Sequence, residues 1–439
     1  MRRSLAALAA LLVAFSALTV GRADAADAVI TDFGVQAGES DRVQTVALQR
    51  AIDETSAGGG GRLTVPEGEF RTGALDLKAG VELHLAEGAV LLGSDDIADF
   101  PIRQTRIEGK VQPWVPAVLN AKGLSGVRVT GPGTLDGDGK PYWTAFWKRR
   151  AENRKCTNLE VHRPRLMYFE SCDDVEVIDL NLRNSGFWNL HVYKCAGVRI
   201  EGVSIRAPHG DPPRITGDDQ PWDEVSIDRA PSSDGIDVDS CQSVVIRDCV
   251  ISVGDDCIAL KGTKGPRAME DEASPPVENI LIEGCDFQSG HGVMTCGSEA
   301  TIVRNVVVRD CKVGPGVPVC RLKLRPDTPQ RYENLLFDGL TLDGAQSLFD
   351  VKPWRQFYDP QGMAPPKSEV RNVVLRNITG SLRSLGDLRG NRGDSIENVT
   401  LSNIELITDR GDLRVGEVVG LRYVGVVING DEIEAPDSE

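Results

Sequence analysis

Three aspartates within Ser232–Gly262 have the type and spacing for acid–base chemistry. Asp234 lies in Ser-Ser-Asp-Gly, and Asp255 and Asp256 lie in Gly-Asp-Asp-Cys 21 residues later. Carboxylates held close repel one another, which raises at least one pKa and lets one group carry a proton while another accepts one. Hydrolysis of a glycosidic bond needs that division of labour: an acid protonates the leaving oxygen and a base activates water. Farther along, His291 stands between Gly290 and Gly292, where the glycines let a ligand approach the backbone closely. Arg321 and Lys323 are two residues apart, so on a strand they share a face and offer a carboxylate one bidentate partner and one point charge. Lys261 and Arg325 extend the same basic patch.

Elements that hold these groups together must repeat, because the groups are spread over 90 residues. The stretch between Asp234 and Asp255 contains an alternating strand, with Val244, Ile246, Cys249 and Ile251 as its apolar positions. Its template, apolar-x-apolar-x-(Gly/Asp/Asn)-apolar-x-apolar, starts at Val175, Val198, Val244, Ile280, Val306, Leu335, Val373 and Val399. Starts recur every 23 to 29 residues, or farther apart where insertions intervene, which is the signature of a solenoid. Period-two alternation makes each unit a strand with one inward face, and the fifth residue turns the chain. Asn279, Asn305, Asn334, Asn372 and Asn398 each precede the first apolar residue of a unit. Asparagine tolerates the left-handed conformation of a tight corner, and stacked amides can bond along the axis. A leucine-rich horseshoe would need a denser leucine signature. The pattern fits an all-β, right-handed parallel β-helix, on which a 21-residue spacing sets the two acidic sites on adjacent coils.

The N-terminus reads as a cap. Val43–Ala57 carries Val46, Ala47, Ala51 and Ile52 at helical spacing before the glycine run 58–61. Strands follow at Arg62–Val65, Val81–Leu85 and Val127–Thr130. Residues 1–25, with Arg2, Arg3, an apolar core and Ala23-Asp24-Ala25, have the form of a cleaved export signal, so the protein is expected to be secreted or periplasmic. No later stretch is long enough to span a bilayer. The formal charge is −16, and −18 without the signal, which argues against a nucleic-acid partner. Among ten cysteines, Cys249, Cys285 and Cys311 occupy apolar template positions as buried thiols, and Cys257 is the strongest candidate for a disulfide. Two Pro-rich acidic insertions, 209–230 and 263–278, adjoin the acidic motifs as candidate cleft walls. The sequons at Asn377 and Asn398 fall inside the strand pattern and read as chance matches or corner residues.

Taken in order, Ser232-Ser233-Asp234, Gly254-Asp255-Asp256, Gly290-His291-Gly292 and Arg321-Leu322-Lys323 resemble the hallmarks of the polygalacturonase family, glycoside hydrolase family 28. Asp32-Phe33-Gly34 and Gly131-x-Gly133-Thr134-x-Asp136-Gly137 extend the resemblance over nearly the whole chain after the signal. It implies one β-helix domain over 26–439 that hydrolyses a pectic polysaccharide with inversion and without cofactor or metal. Asp255 would be the general acid, Asp234 and Asp256 would hold and deprotonate water, His291 would tune the acid by hydrogen bonding or support the sugar, and Arg321 with Lys323 would bind a uronic acid in the leaving-group subsite. Inversion implies acid and base roughly 6.5–9.5 Å apart. Serines replace the family's Asn-Thr before Asp234, and Tyr358 is the candidate for its cleft tyrosine. Gly297-Ser298-Glu299 resembles the exo-acting bacterial branch. The alternatives are a rhamnogalacturonan or xylogalacturonan hydrolase, a calcium-dependent lyase with an arginine base, and a non-catalytic carbohydrate-binding β-helix.

Overall fold

The computed structural model describes residues 27–38, 43–210 and 229–436. Each central coil of the stack contributes three strands, which fuse into longer ones in the last coils, as in Glu369–Leu388 and Ser395–Val415. Asp173–Ile178, Asn181–Arg183 and Leu190–Tyr193 form one coil; Ala196–Glu201, Ser204–Arg206 and Ile236–Asp239 form the next; Gln242–Arg247, Val250–Ser252 and Ile258–Lys261 form the third. First strands pair in parallel with first strands of the neighbouring coils, second with second and third with third. The result is a parallel β-helix of three sheets around one core.

The template accounts for the stacking register. Val175, Val198, Val244, Ile280, Val306, Leu335, Val373 and Val399 lie in one continuous row, each paired with the next, and all are buried. A one-residue slip would send every one of these side chains to solvent, and each contributes roughly 1.5–3 kcal/mol when fully buried. The corners follow the same logic. Asp248, Asp310, Asn377 and Asn403, at the fifth template position, have φ of 51°, 55°, 56° and 52°. The five asparagines before the units have φ of 57° to 61°, and each amide donates to the carbonyl of the one before: Asn305 to Asn279 at 3.2 Å, Asn334 to Asn305 at 3.0 Å, Asn372 to Asn334 at 3.0 Å and Asn398 to Asn372 at 3.4 Å. Asn377 sits in a second ladder between Asp338 and Asn403, so both sequon asparagines serve as corners. Asn334→Ala removes two ladder bonds and puts a Cβ without compensation at positive φ; it should cost about 1–3 kcal/mol, and Asn334→Gly less, by the shift of the urea midpoint.

Several expectations change. The capping helix spans Thr45–Ala57 and buries Leu48, Ala51, Ile52 and Thr55; Val46 is 85% exposed, because the face that meets the first coil is centred on Leu48 and Ile52. All ten cysteines are buried free thiols, Cys257 included. Cys257 packs in the core at the start of a third-sheet strand, and its Sγ lies against Ser289 O. Two elements were not anticipated: the hairpin Arg103–Ile107/Lys110–Trp114 and the helix Lys140–Glu152. Both leave the solenoid between a second-sheet and a third-sheet strand. Residues 211–228 of the first insertion lie outside the described residues, as do residues 1–25.

Candidate active site

The third sheet positions every candidate residue. Its strands stack in the order Met167–Glu170, Leu190–Tyr193, Ile236–Asp239, Ile258–Lys261, Met294–Cys296 and Pro318–Leu324. Asp234 leads into the third of these, Asp255 and Asp256 into the fourth and His291 into the fifth, while Arg321 and Lys323 lie in the sixth. Alternation sends Ile258 and Leu260 inward, and Ala259 and Lys261 outward; likewise Cys320 and Leu322 inward, and Arg321 and Lys323 outward. Because parallel strands are about 4.8 Å apart, residues distant in sequence become neighbours.

Asp234, Asp255 and Asp256 each bring a carboxylate oxygen within 4.8 Å of the others. Asp234 and Asp256 are buried, and Asp255 is partly exposed. Cations compensate them. Lys261 Nζ is 3.1 Å from Asp234 and 3.3 Å from Asp237. Asp256 takes Lys323 Nζ at 2.6 Å, Arg321 Nη1 at 3.1 Å and the Thr295 hydroxyl at 3.0 Å. His291 Nδ1 is 3.3 Å from Asp255, and its Nε2 faces Arg229 at 3.1 Å. The serines before Asp234 are structural: Ser233 Oγ accepts from Gly254 N at 3.0 Å and ties the two acidic turns together, while Ser232 takes φ 54° and meets Arg163.

These environments divide the three acids. Burial, together with the Asp255 and Asp256 charges, pushes Asp234 up to about 7 even though Lys261 opposes the shift. At Asp255 burial acts upward, but the His291 hydrogen bond and charge, with Lys323 and Arg321, outweigh it and hold the carboxyl well below its usual range. Asp256 is also lowered: burial is overcome by Lys323 and Arg321. Burial alone would lower His291, yet Asp255 raises it. The raised carboxyl is therefore Asp234, and the proton of the Asp255–His291 pair rests on the imidazole. The spacing also differs from expectation. Acids on adjacent coils approach within 4.8 Å, closer than the roughly 6.5–9.5 Å of an inverting pair, because coil separation sets the distance.

The three aspartates are also the one group among the described residues whose oxygens could converge on a cation. Lys261, Arg321 and Lys323 already face them, so charge balance does not call for a metal.

A cavity of about 660 Å³ opens over the acids. Asp234, Asp255, Asp256, Lys261, His291, Arg321 and Lys323 all line it. Lys261 is a buried ion-pair partner that holds Asp234 and Asp237, not a free cation extending the patch. Arg325 does not reach the cavity: it is 1% exposed, locked onto Asp327, and it holds the carbonyls of Gln356 and Phe357. Tyr358 is exposed and outside the cavity. Two of the rings lining the cavity sit against its lysines: Trp354, whose centroid is 5.0 Å from Lys323 Nζ, and Trp188, 4.4 Å from Lys261 Nζ. The room beside His291 belongs to neighbouring coils and not to a ligand, for a Cβ at Gly290 would strike Cys257 and Asp255, and one at Gly292 would strike Thr295. The walls come from Glu108, Phe146, Trp147, Arg150 and Asn158; from the first insertion only Arg229 contributes among the described residues, and residues 263–278 do not line the cavity. Lys264 instead braces the wall from behind, pairing with Glu299 at 3.0 Å and Glu108 at 3.8 Å. Asp237 was legible in principle, since it alternates with Ile236 and Val238; the two tryptophans carried no local signal.

The model for glycosyl hydrolases family 28 matches residues 57–416. The chain belongs to glycoside hydrolase family 28. A probable polygalacturonase of Vitis vinifera is 32% identical over 400 residues, covering 86% of this chain and 74% of that one. An exo-poly-alpha-D-galacturonosidase of Dickeya chrysanthemi is 29% identical, covering 80% of this chain and 62% of that one. Among solved structures, the hyperthermoactive exopolygalacturonase from Thermotoga maritima superposes with a TM-score of 0.72 at 24% identity over 93% of each chain, a likeness of fold. This family 28 chain is thus a polygalacturonase-like hydrolase on a parallel β-helix.

Proposed function

We propose that this family 28 hydrolase cleaves polygalacturonate from a chain end, and that residues 1–25 direct its export. One observation carries the substrate reading: Arg321 and Lys323 face the cavity two strands beyond the one that follows Asp255 and Asp256, giving an otherwise acidic protein a local site for a uronate. Asp255 relays to the leaving oxygen the proton that its partner His291 holds, 3.3 Å away. Asp256, kept ionised by two cations, and Asp234 hold the attacking water. The named relatives from grape and Dickeya support a galacturonate polymer. End-on attack is supported by the walls that Glu108, Phe146, Trp147 and Arg150 raise around a bounded cavity. Inversion is supported by family membership alone, since the acid spacing follows coil separation.

Time-resolved product analysis on polygalacturonate tests the whole reading. The expected products are saturated and dominated by mono- or digalacturonate from the start, with inverted anomeric configuration in the first NMR spectra. Early long oligomers would overturn end-on attack, and unsaturated ultraviolet-absorbing products would overturn hydrolysis. Preference for rhamnogalacturonan or xylogalacturonan would overturn the substrate.

A further inference from the structure

We propose that Arg150 is a second carboxylate anchor, placed on the glycone side of the acids opposite Arg321 and Lys323. The proposal rests on the uronate reading of the cavity and deepens it: the site would select sugars bearing carboxylates on both sides of the scissile bond.

The coil order sets the two cationic sites apart. The helix Lys140–Glu152 leaves the solenoid just before the third-sheet strand Met167–Glu170, two strands ahead of the one that follows Asp234. Arg321 and Lys323 lie two strands beyond the one that follows Asp255 and Asp256. The acids therefore sit between the helix and the Arg321–Lys323 pair along the solenoid axis. With Arg321 and Lys323 at the leaving-group sugar, a cation on the helix side meets the other half of the substrate.

The helix is rigidly seated for this. Pro141 occupies its first turn, where the missing N–H costs nothing. Tyr142 donates to Ser94 O at 2.6 Å, Trp143 Nε1 to Ser185 O at 2.8 Å and Trp147 Nε1 to Arg229 O at 2.8 Å. Phe146 lies beneath the Arg163 guanidinium, 4.3 Å from the ring centroid. Phe146, Trp147 and Arg150 recur at helical spacing and line the cavity together. Through Arg229, which bonds Gly254 O and His291, the helix is coupled to the acidic turn itself.

Arg150 differs from the adjacent Arg149 and from the other cavity cations in being unused. Arg149 pairs with Glu160 at 2.7 Å and Glu152 at 3.7 Å. Of the other cavity cations, Lys261, Arg321 and Lys323 are each paired with an aspartate, and Arg229 is spent on Gly254 O and His291. Among the described residues Arg150 has no hydrogen bond or ion pair, although it is half-buried in the wall of the cavity. The cavity's other acids, Glu108 and Glu299, are engaged by Lys264, and Glu108 also by Asn158. A guanidinium held on a rigid helix over a sugar site, with its donors open, is suited to bidentate capture of a carboxylate.

The test uses Asp255→Asn as the parent, so that ligand is not consumed, and isothermal titration with trigalacturonate and its full methyl ester. Adding Arg150→Gln should weaken trigalacturonate binding roughly ten- to thirty-fold and flatten its salt dependence, without changing the affinity for the ester or the melting temperature. Arg150→Lys should recover part of the loss. Equal trigalacturonate affinity in parent and Arg150→Gln, an equal loss for acid and ester, or a parent that does not bind trigalacturonate would each overturn the proposal. Polygalacturonate turnover by the unmutated protein is scored separately: cleavage together with an inert Arg150→Gln leaves the functional reading standing and removes only the anchor.

Discussion

Asp255→Asn should slow glycosidic cleavage by about 10²–10⁴-fold while leaving the protein folded at neutral pH. Asp255 is the partly exposed member of the cluster, and its Oδ1 accepts from Asp256 N at 3.0 Å, a bond that an asparagine carbonyl can keep. What the substitution removes is the charge and, with it, the proton relay from His291. His291 is raised because Asp255 outweighs its burial, so without that charge the imidazole should titrate at lower pH. The stability that His291 draws from its raised pKa is present at acid pH and lost as pH rises through the folded value; the variant should therefore fall behind most on the acid side. Asp255 itself, with a lowered pKa, contributes above the ordinary carboxylate range and loses that contribution only on strong acidification. Initial rates on polygalacturonate and a proton-NMR titration of His291 check both parts. An unchanged rate would remove Asp255 from the chemistry.

Lys261→Met should destabilise the protein by about 3–5 kcal/mol at pH 8, because removing one partner leaves buried charge uncompensated. Lys261 is 4% exposed and serves both Asp234 and Asp237. Neither oxygen of Asp237 has a hydrogen bond. Burial already holds Asp237 well above its usual range and Asp234 at about 7, against the pull of Lys261. Without that cation both should rise further. An acid whose folded pKa lies above its unfolded one gives stability at low pH that disappears as pH rises through the folded value. The variant should accordingly approach the unmutated protein at pH 5 and fall away between pH 6 and 8, as urea midpoints across that range would show. A deficit independent of pH would mean that Lys261 acts by packing on Trp188 and not by charge. Activity should fall as well, since Asp234 must be ionised to take a proton from water.

How legible this was depends on whether information lay in local pattern or in loops. The rows of Val244 and Ile280, the Asn334 ladder and the positive-φ corner at Asp248 all follow from period-two alternation and corner chemistry, which act within a few residues. The acids, His291, Arg321 and Lys323 were findable because each lies beside a strand whose register the template sets. The helix bearing Arg150 left a trace, with Pro141 followed by Trp143, Phe146 and Trp147 at helical spacing, but its docking face is defined only by distant carbonyls. The hairpin Arg103–Trp114 had no apolar alternation to betray it; it is held by Arg106 on Asp239, a pair 133 residues apart.

By itself, then, the sequence determined the solenoid, its core register and which acidic and basic residues share the site, because a strand repeat with a buried face admits one stacking. Tertiary structure alone decided how those residues are used. It made Lys261 a buried counterion, withdrew Arg325 and Tyr358, kept Cys257 a thiol and set the acids one coil apart. Those outcomes depend on which charges burial brings together and on loops crossing between coils, and neither quantity is local to the chain.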